Sequence, residues 1–300
     1  MLEVTRGSEQ ADAKLVVSLE DVVSPPKGLE MSEAVAETVR GSKSYIRVPV
    51  RNNAKLAAVL ERVNQDIELR TMWKCANINA VDRLGMSDHG RVHVQIVANI
   101  GLKMLRLLRE AGIEASIVKH HGLSDDEAEV VVVLAALLHD IGICVHRDEH
   151  EHHSLWLAER KVRELLDGLY DIESRTIILA ETLHAVVAHA RSQRCLTIEA
   201  GVVKVADALD MSKGRSRIPF EQGHLNIHSV SAAAIESVEL RAGQIKPVHV
   251  QVNMRNSAGI YQLDELLKKK IQNSTIKDYL ELSASIEAES EQRLVPIYQF

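Results

Sequence analysis

The sequence predicts a mainly α-helical domain followed by a small α+β appendage at its C-terminal end. Three observations support this fold class. Apolar residues recur at helical spacing from about Asn53 to Gly214. Polar or acidic residues begin several of these segments and glycines end them, as is typical of helix boundaries. After Pro219 the pattern changes to alternating apolar and polar residues, which indicates strands.

Two long helical segments open this region. Residues 53–85 carry apolar side chains at helical spacing and end at a glycine. Residues 90–112 repeat the pattern and also end at a glycine. Because glycine is unfavourable inside a helix and often follows its last turn, these positions indicate helix ends.

The segment 124–142 has the clearest helix start. Ser124 is followed by two aspartates and by Glu127, which together form a capping box with acidic residues at the positive helix end. The valine run at 130–133 taken alone also suits a strand, but the cap and the continuation through Leu138 favour a helix. Two polar residues, His139 and Asp140, follow this apolar run directly.

Three further helices are predicted before the pattern changes. They cover residues 153–170, 171–190 and 197–214. Together with the earlier segments they define a helical domain over residues 45–219. The preceding residues 1–44 are mixed and polar, and we expect a leader that is partly disordered or docked elsewhere.

Residues 220–300 are predicted to form a small α+β domain. The segments 238–243, 246–259 and 279–287 alternate in the manner of strands, and residues 259–273 carry one apolar helical stripe. This helix is most simply explained as cover for its own sheet. We expect the domain to be regulatory or to form a homodimer.

Composition and charge exclude several classes of protein. The net charge is −6 and aromatic residues make up 3%, which argues against a nucleic-acid-binding surface. The longest apolar run, Val130–Leu138, is too short to span a bilayer as a helix. Three scattered cysteines predict no disulfide framework. We therefore expect a cytoplasmic protein that is not embedded in a membrane.

Histidine is unusually concentrated in the helical region. The chain has 14 histidines, and 11 of them lie between His89 and His189. His139 and Asp140 are adjacent, so on a regular helix their side chains diverge by about 100°. A divalent metal ion can bind an imidazole nitrogen and a carboxylate oxygen together. The alternative is a helix-terminal histidine followed by a capping aspartate.

Three stretches resemble the HD superfamily of metal-dependent phosphohydrolases over about residues 90–215. They read DHGRVHVQIVAN, LAALLHDIGICVHRDEH and ADALDMSKGRSRIPFE. The resemblance implies an HD-type all-helical domain with the metal ligands His93, His139, Asp140 and Asp207. His89, one turn before His93, is the alternative first ligand. The implied cofactor is one or two divalent ions per chain, with Mn, Fe, Mg, Co and Ni as candidates.

Several HD branches bind more than one metal ion. The histidines between the HD pair (His139 and Asp140) and Asp207 are therefore candidates for a second site. His150 and His184 suit the spacing of the family best. With two ions, Asp140 is expected to bridge them. The remaining candidates are His146, His152, His153 and His189. We expect the other histidines to be structural or solvated, namely His120, His121, His224, His228 and His249.

We expect catalytic roles for Asp140, His150 and His184. Many HD phosphodiesterases carry a lysine directly after HDIG, whereas this chain has Ile143. The general acid is therefore unassigned, and His150, His184 and Asp210 are candidates. Cations near the implied ligands are predicted to bind phosphate. These cations are Arg91, Arg147, Lys213, Arg215 and Arg217.

Together these features predict a metal-dependent phosphomonoesterase or phosphodiesterase. The expected partner is a small phosphorylated substrate, above all a nucleotide, which a metal-activated water would hydrolyse. Two alternatives belong to other classes. One is an HD-type di-iron oxygenase on the same helical scaffold, and the other is a non-catalytic nucleotide sensor whose metal anchors the ligand.

Overall fold

The computed structural model describes residues 46–211 and 231–286 together with the backbone of 298–299. Helices form the first range, and a sheet with one crossover helix forms the second, which confirms the predicted fold class. The leader predicted for residues 1–44 lies outside the described residues. Within the described ranges, the helices are either too short or too polar to cross a membrane.

Eight α-helices lie within residues 46–211. The segment predicted as one helix at 53–85 is divided at Asp66, which ends the first helix and caps the second through its side chain. A π-helical turn at Ile78–Arg83 and a 3-10 turn at Ile141–Cys144 follow the second and fifth helices. The helices are α1 (Ala54–Gln65), α2 (Ile67–Asn77), α3 (Arg91–Glu110), α4 (Ser116–His121), α5 (Asp125–Leu138), α6 (His150–Leu166), α7 (Ile172–Ala188) and α8 (Ile198–Leu209).

The helix α5 lies at the centre of the helical domain. The predicted capping box is present. The Ser124 side chain accepts a hydrogen bond from the backbone of the first helical turn, and the Glu127 side chain accepts one from the Ser124 N–H. Every side chain from Val130 to Leu138 is at most 1% exposed, so the helix is apolar all round and enclosed by α3, α7 and α8. His139 and Asp140, which follow directly, therefore lie in the middle of the core.

The turn after the HD pair is held against the start of α6. A Cβ atom on Gly142 would lie 2.2 Å from the carbonyl oxygen of His150 and 2.4 Å from the nitrogen of Ser154, so only glycine fits this approach. The Ser154 hydroxyl accepts a hydrogen bond from the Gly142 N–H at 2.8 Å and donates to the His139 carbonyl at 2.6 Å. These contacts bring His150 towards His139.

A four-stranded sheet forms the described part of the appendage. Its strands, in spatial order, are β1 (Ile235–Ala242), β2 (Val248–Met254), β3 (Leu280–Ile286) and β4 (Tyr298–Gln299). The pair β2–β3 is parallel and the other two pairs are antiparallel. A parallel pair needs a crossover connection. Here the crossover is a π-helical segment, Gln262–Lys268, that continues into the short helix α9 (Lys269–Gln272).

The appendage packs directly on the helical domain. The strands β1 and β2 contact α3, and the crossover segment contacts α8. The side chains of Leu263 and Leu267 in the crossover segment are fully buried. The amphipathic crossover helix therefore covers more than its own sheet, because it also lies against the helix that carries Asp207.

Candidate metal centre

Four imidazoles and two carboxylates from separate elements meet at one place in the helical domain. Among the described residues they form three overlapping groups, within each of which the ligand atoms lie no more than 4.8 Å apart. The structure thus brings together the ligands that the resemblance implied. The cluster consists of His93 in α3, His139 and Asp140 after α5, His150 at the start of α6, His189 after α7 and Asp207 in α8.

Three of the imidazole rings are oriented by hydrogen bonds from their outer nitrogen. His93 donates its Nδ1–H to Asp210 Oδ2 at 2.6 Å. His139 and His189 donate theirs to backbone carbonyls three residues earlier, at 2.9 Å and 2.5 Å. Such bonds select the tautomer and leave Nε2 with its lone pair, which is how histidine metal ligands are usually held.

The Nε2 atoms of His93 and His139 lie 3.2 Å apart. Asp140 Oδ2 lies 3.2 Å from each of them, so three acceptor atoms are crowded together. Such a group needs a cation between its atoms, either a proton or a metal ion. Imidazole nitrogens with carboxylate oxygens are a donor set that divalent transition metals bind. The residues present therefore fit a divalent metal ion.

Asp140 divides its two carboxylate oxygens between two pairs of histidines. Its Oδ2 faces His93 and His139, as above. Its Oδ1 lies 3.1 Å from His150 Nε2 and 3.6 Å from His189 Nε2. Because one carboxylate can ligate two cations, this arrangement is suited to two adjacent sites with Asp140 as the bridge.

Burial and charge act in opposite directions on the pKa values of the cluster. Burial disfavours a charged His139, but Asp140 and Asp207 outweigh it and raise the pKa of His139 to about 9. Burial also disfavours a charged Asp140, but the neighbouring histidines hold the pKa of this carboxyl well below its usual range. Burial lowers the pKa of His189, which keeps that ring neutral. The cluster without metal therefore holds a proton that a metal ion would displace.

Asp207 also divides its oxygens. Oδ1 lies 3.4 Å from His93 Nε2 and 3.7 Å from His139 Nε2, and Oδ2 forms an ion pair with Lys270 of α9. Burial opposes ionisation of Asp207, but Lys270 and the histidines hold the pKa of its carboxyl well below the usual range. Lys270 could not be predicted from the sequence, because it lies 63 residues beyond Asp207 and no local pattern links the two.

A cavity of about 610 Å³ opens beside the cluster. Asp140, His150, His189 and Asp207 form part of its wall. Of the candidate proton donors, His150 and Asp210 also line it, whereas His184 does not belong to the wall as described. The rest of the wall combines apolar and cationic side chains, including Leu84, Met86, Met211, Leu266, Arg147, Arg191 and Lys270.

The structure differs from the sequence prediction at His184. Its Nε2 accepts a hydrogen bond from the Leu196 N–H at 3.0 Å, and His184 belongs to none of the ligand groups formed by the described residues. His189 instead occupies the ligand position that was expected of His184. The buried face of α7 runs through Thr182 and Ala185, and the same helical phase reaches His189 but not His184. That phase was a signal available in the sequence.

The predicted phosphate-binding cations have different positions. Arg147 lies in the cavity wall, with its Nη1 2.6 Å from His150 Nδ1. Arg91 is the first residue of α3 and is not among the described residues that line the cavity. Lys213, Arg215 and Arg217 lie outside the described residues.

The remaining histidines lie outside the ligand groups formed by the described residues. His89, the alternative first ligand, lines the cavity, and its ring centroid lies 5.5 Å from that of His93. His153 packs against Trp156. His249 lies in β2, and His120, His121, His146 and His152 are exposed. His224 and His228 lie outside the described ranges.

Comparison with known proteins agrees with the geometry. The family model for the HD domain matches residues 91–212, a range that contains all six residues of the cluster. The uncharacterized protein MJ1020 of Methanocaldococcus jannaschii is 45% identical over 231 residues, which are 77% of this chain and 89% of the relative. No solved structure matches the chain. Since the matched range folds into helices that bury this His/Asp cluster, the chain belongs to the HD superfamily of metal-dependent phosphohydrolases.

Proposed function

We propose that the protein hydrolyses a nucleotide or another small phosphate mono- or diester in a metal-dependent reaction. The observation that carries the proposal is the position of the His/Asp cluster in the wall of a cavity that also presents cations. The cavity volume of about 610 Å³ lies within the range of small-molecule sites, about 300–1,000 Å³. The acidic net charge and few aromatics favour a small substrate over a nucleic acid.

Two subsets of the cluster would hold metal ions. The first subset is His93, His139 and Asp140 together with Asp207, whose Oδ1 faces both histidines. The second subset consists of His150, His189 and the other carboxylate oxygen of Asp140. When bound, divalent ions lower the pKa of a water molecule and polarise a phosphoryl oxygen. A set with four imidazoles favours Mn, Fe, Co or Ni over Mg, which prefers oxygen ligands.

The other residues of the cavity would bind and orient the substrate. Arg147 lies beside His150, and its planar guanidinium can bind two phosphate oxygens at once. The apolar side chains of Leu84, Met86 and Leu266 suit the organic part of an ester. Lys213, Arg215 and Arg217 remain proposed phosphate ligands, because their segment begins two residues after Met211 of the cavity wall.

Metal analysis combined with an activity screen tests the proposal. The chain is purified without chelator, its metal content is measured, and phosphomonoesters and phosphodiesters are screened with added Mn²⁺, Co²⁺ or Mg²⁺. His139→Ala and Asp140→Ala are expected to lose both metal and turnover. His152→Ala, an exposed position two residues after His150, is the matched control and should keep both.

Oxygen-consumption and nucleotide-binding measurements on the same metal-loaded protein separate the two alternatives. Oxygen consumption by an iron-loaded protein that hydrolyses no phosphate ester would favour the di-iron oxygenase. Saturable nucleotide binding without turnover would favour the sensor. Full hydrolytic activity in His139→Ala or Asp140→Ala would contradict the proposed site.

A further inference from the structure

Lys270 connects the C-terminal appendage to the metal centre. Its ammonium group forms an ion pair with Asp207, and its side chain lines the cavity and is 17% exposed. Lys270 lies well beyond residues 91–212, the range that matches the HD domain. The cavity wall therefore contains a cation that the helical domain itself does not supply.

The crossover segment presents one face to the cavity. Gln262, Leu266 and Lys270 are spaced four residues apart, and all three line the cavity. The residues that follow are fixed to the connection between α7 and α8. Asn273 donates its side-chain amide to the Arg191 carbonyl at 3.0 Å. The position of Lys270 therefore follows from contacts at the end of its own helix.

Two further contacts hold the chain after α9 against α8. Thr275 donates its hydroxyl to the Thr197 carbonyl at 2.6 Å. A Cβ atom on Gly201 would lie 2.3 Å from Thr275 Oγ1, so glycine permits this close approach. Ile276 is fully buried next to it. The appendage is thus built onto the helix that carries Asp207.

Asp207 holds the ammonium group of Lys270 beside the ligand cluster and still directs one carboxylate oxygen at the histidines. Asp207 Oδ1 faces His93 and His139, while Oδ2 faces Lys270. One oxygen thus remains directed towards the metal subset when the ion pair is formed. A lysine ammonium has three N–H donors, so one donor on Asp207 leaves two for another acceptor.

A phosphate ester entering this cavity meets several carboxylates. Asp140, Asp207 and Asp210 all lie in the wall, and each repels an anionic substrate. Arg147 lies on His150, and Arg191 forms an ion pair with Glu265 at 3.0 Å. Lys270 carries its positive charge next to Asp207, where it can offset the repulsion between this carboxylate and an anionic substrate.

We propose that Lys270 binds a phosphoryl oxygen of the substrate while it keeps its ion pair with Asp207, so that the appendage completes the active site. The inference rests on the proposed function and extends it to a residue outside the HD domain. It gives the appendage a direct part in substrate binding, in place of a purely regulatory or dimer-forming role.

Phosphate binding to the metal-loaded chain tests this inference without requiring turnover. The full chain is loaded with Mn²⁺, and the affinity for inorganic phosphate is measured by calorimetry. The Mn²⁺ affinity is measured separately for each variant. Lys270→Gln removes the charge at similar length, Lys270→Arg keeps it, and Lys269→Gln changes an adjacent exposed lysine that pairs with Glu265.

Lys270→Gln is expected to remain loaded at a Mn²⁺ concentration that saturates this variant, and to bind phosphate at least about tenfold more weakly than the wild-type protein, as for a lost hydrogen bond to a charged group. Lys270→Arg should recover most of the phosphate affinity, and Lys269→Gln should not change it. Unchanged phosphate binding in Lys270→Gln would overturn the inference. So would a parallel loss of Mn²⁺ and phosphate, since Lys270 would then only position Asp207.

Failure of the proposed function gives a different result. If the wild-type protein hydrolyses no phosphate ester but binds phosphate through Lys270, the hydrolase proposal fails and the inference about Lys270 holds. If the chain hydrolyses esters and Lys270→Gln changes neither phosphate affinity nor the KM, the inference fails and the hydrolase proposal holds. A metal-loaded chain that binds no phosphate at all overturns the inference as well.

Discussion

Asp210 Oδ2 accepts a 2.6 Å hydrogen bond from His93 Nδ1 inside the protein core. This bond directs His93 Nε2 at the ligand cluster and makes it a better ligand, because the carboxylate raises the basicity of the ring. The relationship joins the end of α8 to the start of α3, 117 residues apart in the chain.

Asp210→Ala is expected to weaken metal binding although Asp210 is outside the ligand groups. Loss of such a supporting group typically lowers metal affinity by about 10–100-fold. The measurement is the Mn²⁺ dissociation constant by calorimetry or chelator competition. Asp148→Ala, whose side chain is 88% exposed, is the control and should leave the constant unchanged. An Asp210→Ala protein with unchanged affinity would show that His93 needs no such support.

Metal affinity is expected to rise with pH up to about 9. In the chain without metal, Asp140 and Asp207 outweigh burial and raise the pKa of His139 to about 9, so a proton must leave before this ring binds metal. Release of one proton corresponds to about a tenfold gain in affinity per pH unit. Chelator competition between pH 6.5 and 9.5 measures the slope. A flat profile over this interval would contradict the raised pKa.

The stability of the metal-free chain should respond to pH in the opposite direction. The folded-state pKa of His139 is raised above the unfolded value of 6.5, so its proton stabilises the fold. This contribution is complete below pH 6.5 and is lost as the pH rises through about 9. The free energy of unfolding in chelator should therefore decrease over that interval, and His139→Gln should lose this part of the decrease.

Ser154→Ala is expected to loosen the turn that carries the HD pair. The hydroxyl of Ser154 bonds both the Gly142 N–H and the His139 carbonyl, and all three groups are buried. Leaving these backbone groups without partners costs about 1–3 kcal/mol in the free energy of unfolding. Urea unfolding measures the change, with the exposed Ser192→Ala as control. A loss below about 0.5 kcal/mol would show that other groups replace the hydroxyl.

Metal binding is expected to stabilise the chain against unfolding. A ligand present at 100 times its dissociation constant adds about 2.7 kcal/mol if it binds only the folded state. The midpoint of thermal unfolding should therefore increase with Mn²⁺ and decrease again with chelator. Asp140→Ala, which removes the oxygens shared by both metal subsets, should not respond to Mn²⁺. If Mn²⁺ raised the unfolding midpoint of Asp140→Ala as much as that of the wild-type protein, the ion would bind elsewhere.

Local signals explain why most helices could be predicted. The capping box at Ser124 and the apolar run that follows are contained in one segment, and the structure has both the cap and the helix end before His139. The division at Asp66 was not predicted, because helical periodicity on both sides of it hides a single capping residue. Among the histidines, the spacing of the family favours His184, whereas the phase of the buried face of α7 favours His189.

Local sequence patterns were enough to predict a mainly helical chain with a small α+β part after the helices, and to match His93, His139, Asp140 and Asp207 to the ligand positions of the HD superfamily. The presence of His189 in the cluster and the ion pair between Lys270 of the appendage and Asp207 became visible only in the folded chain. The physical reason is that helix caps and periodicity depend on neighbouring residues. Contacts between distant segments instead depend on how complete elements pack, and that packing leaves no local pattern.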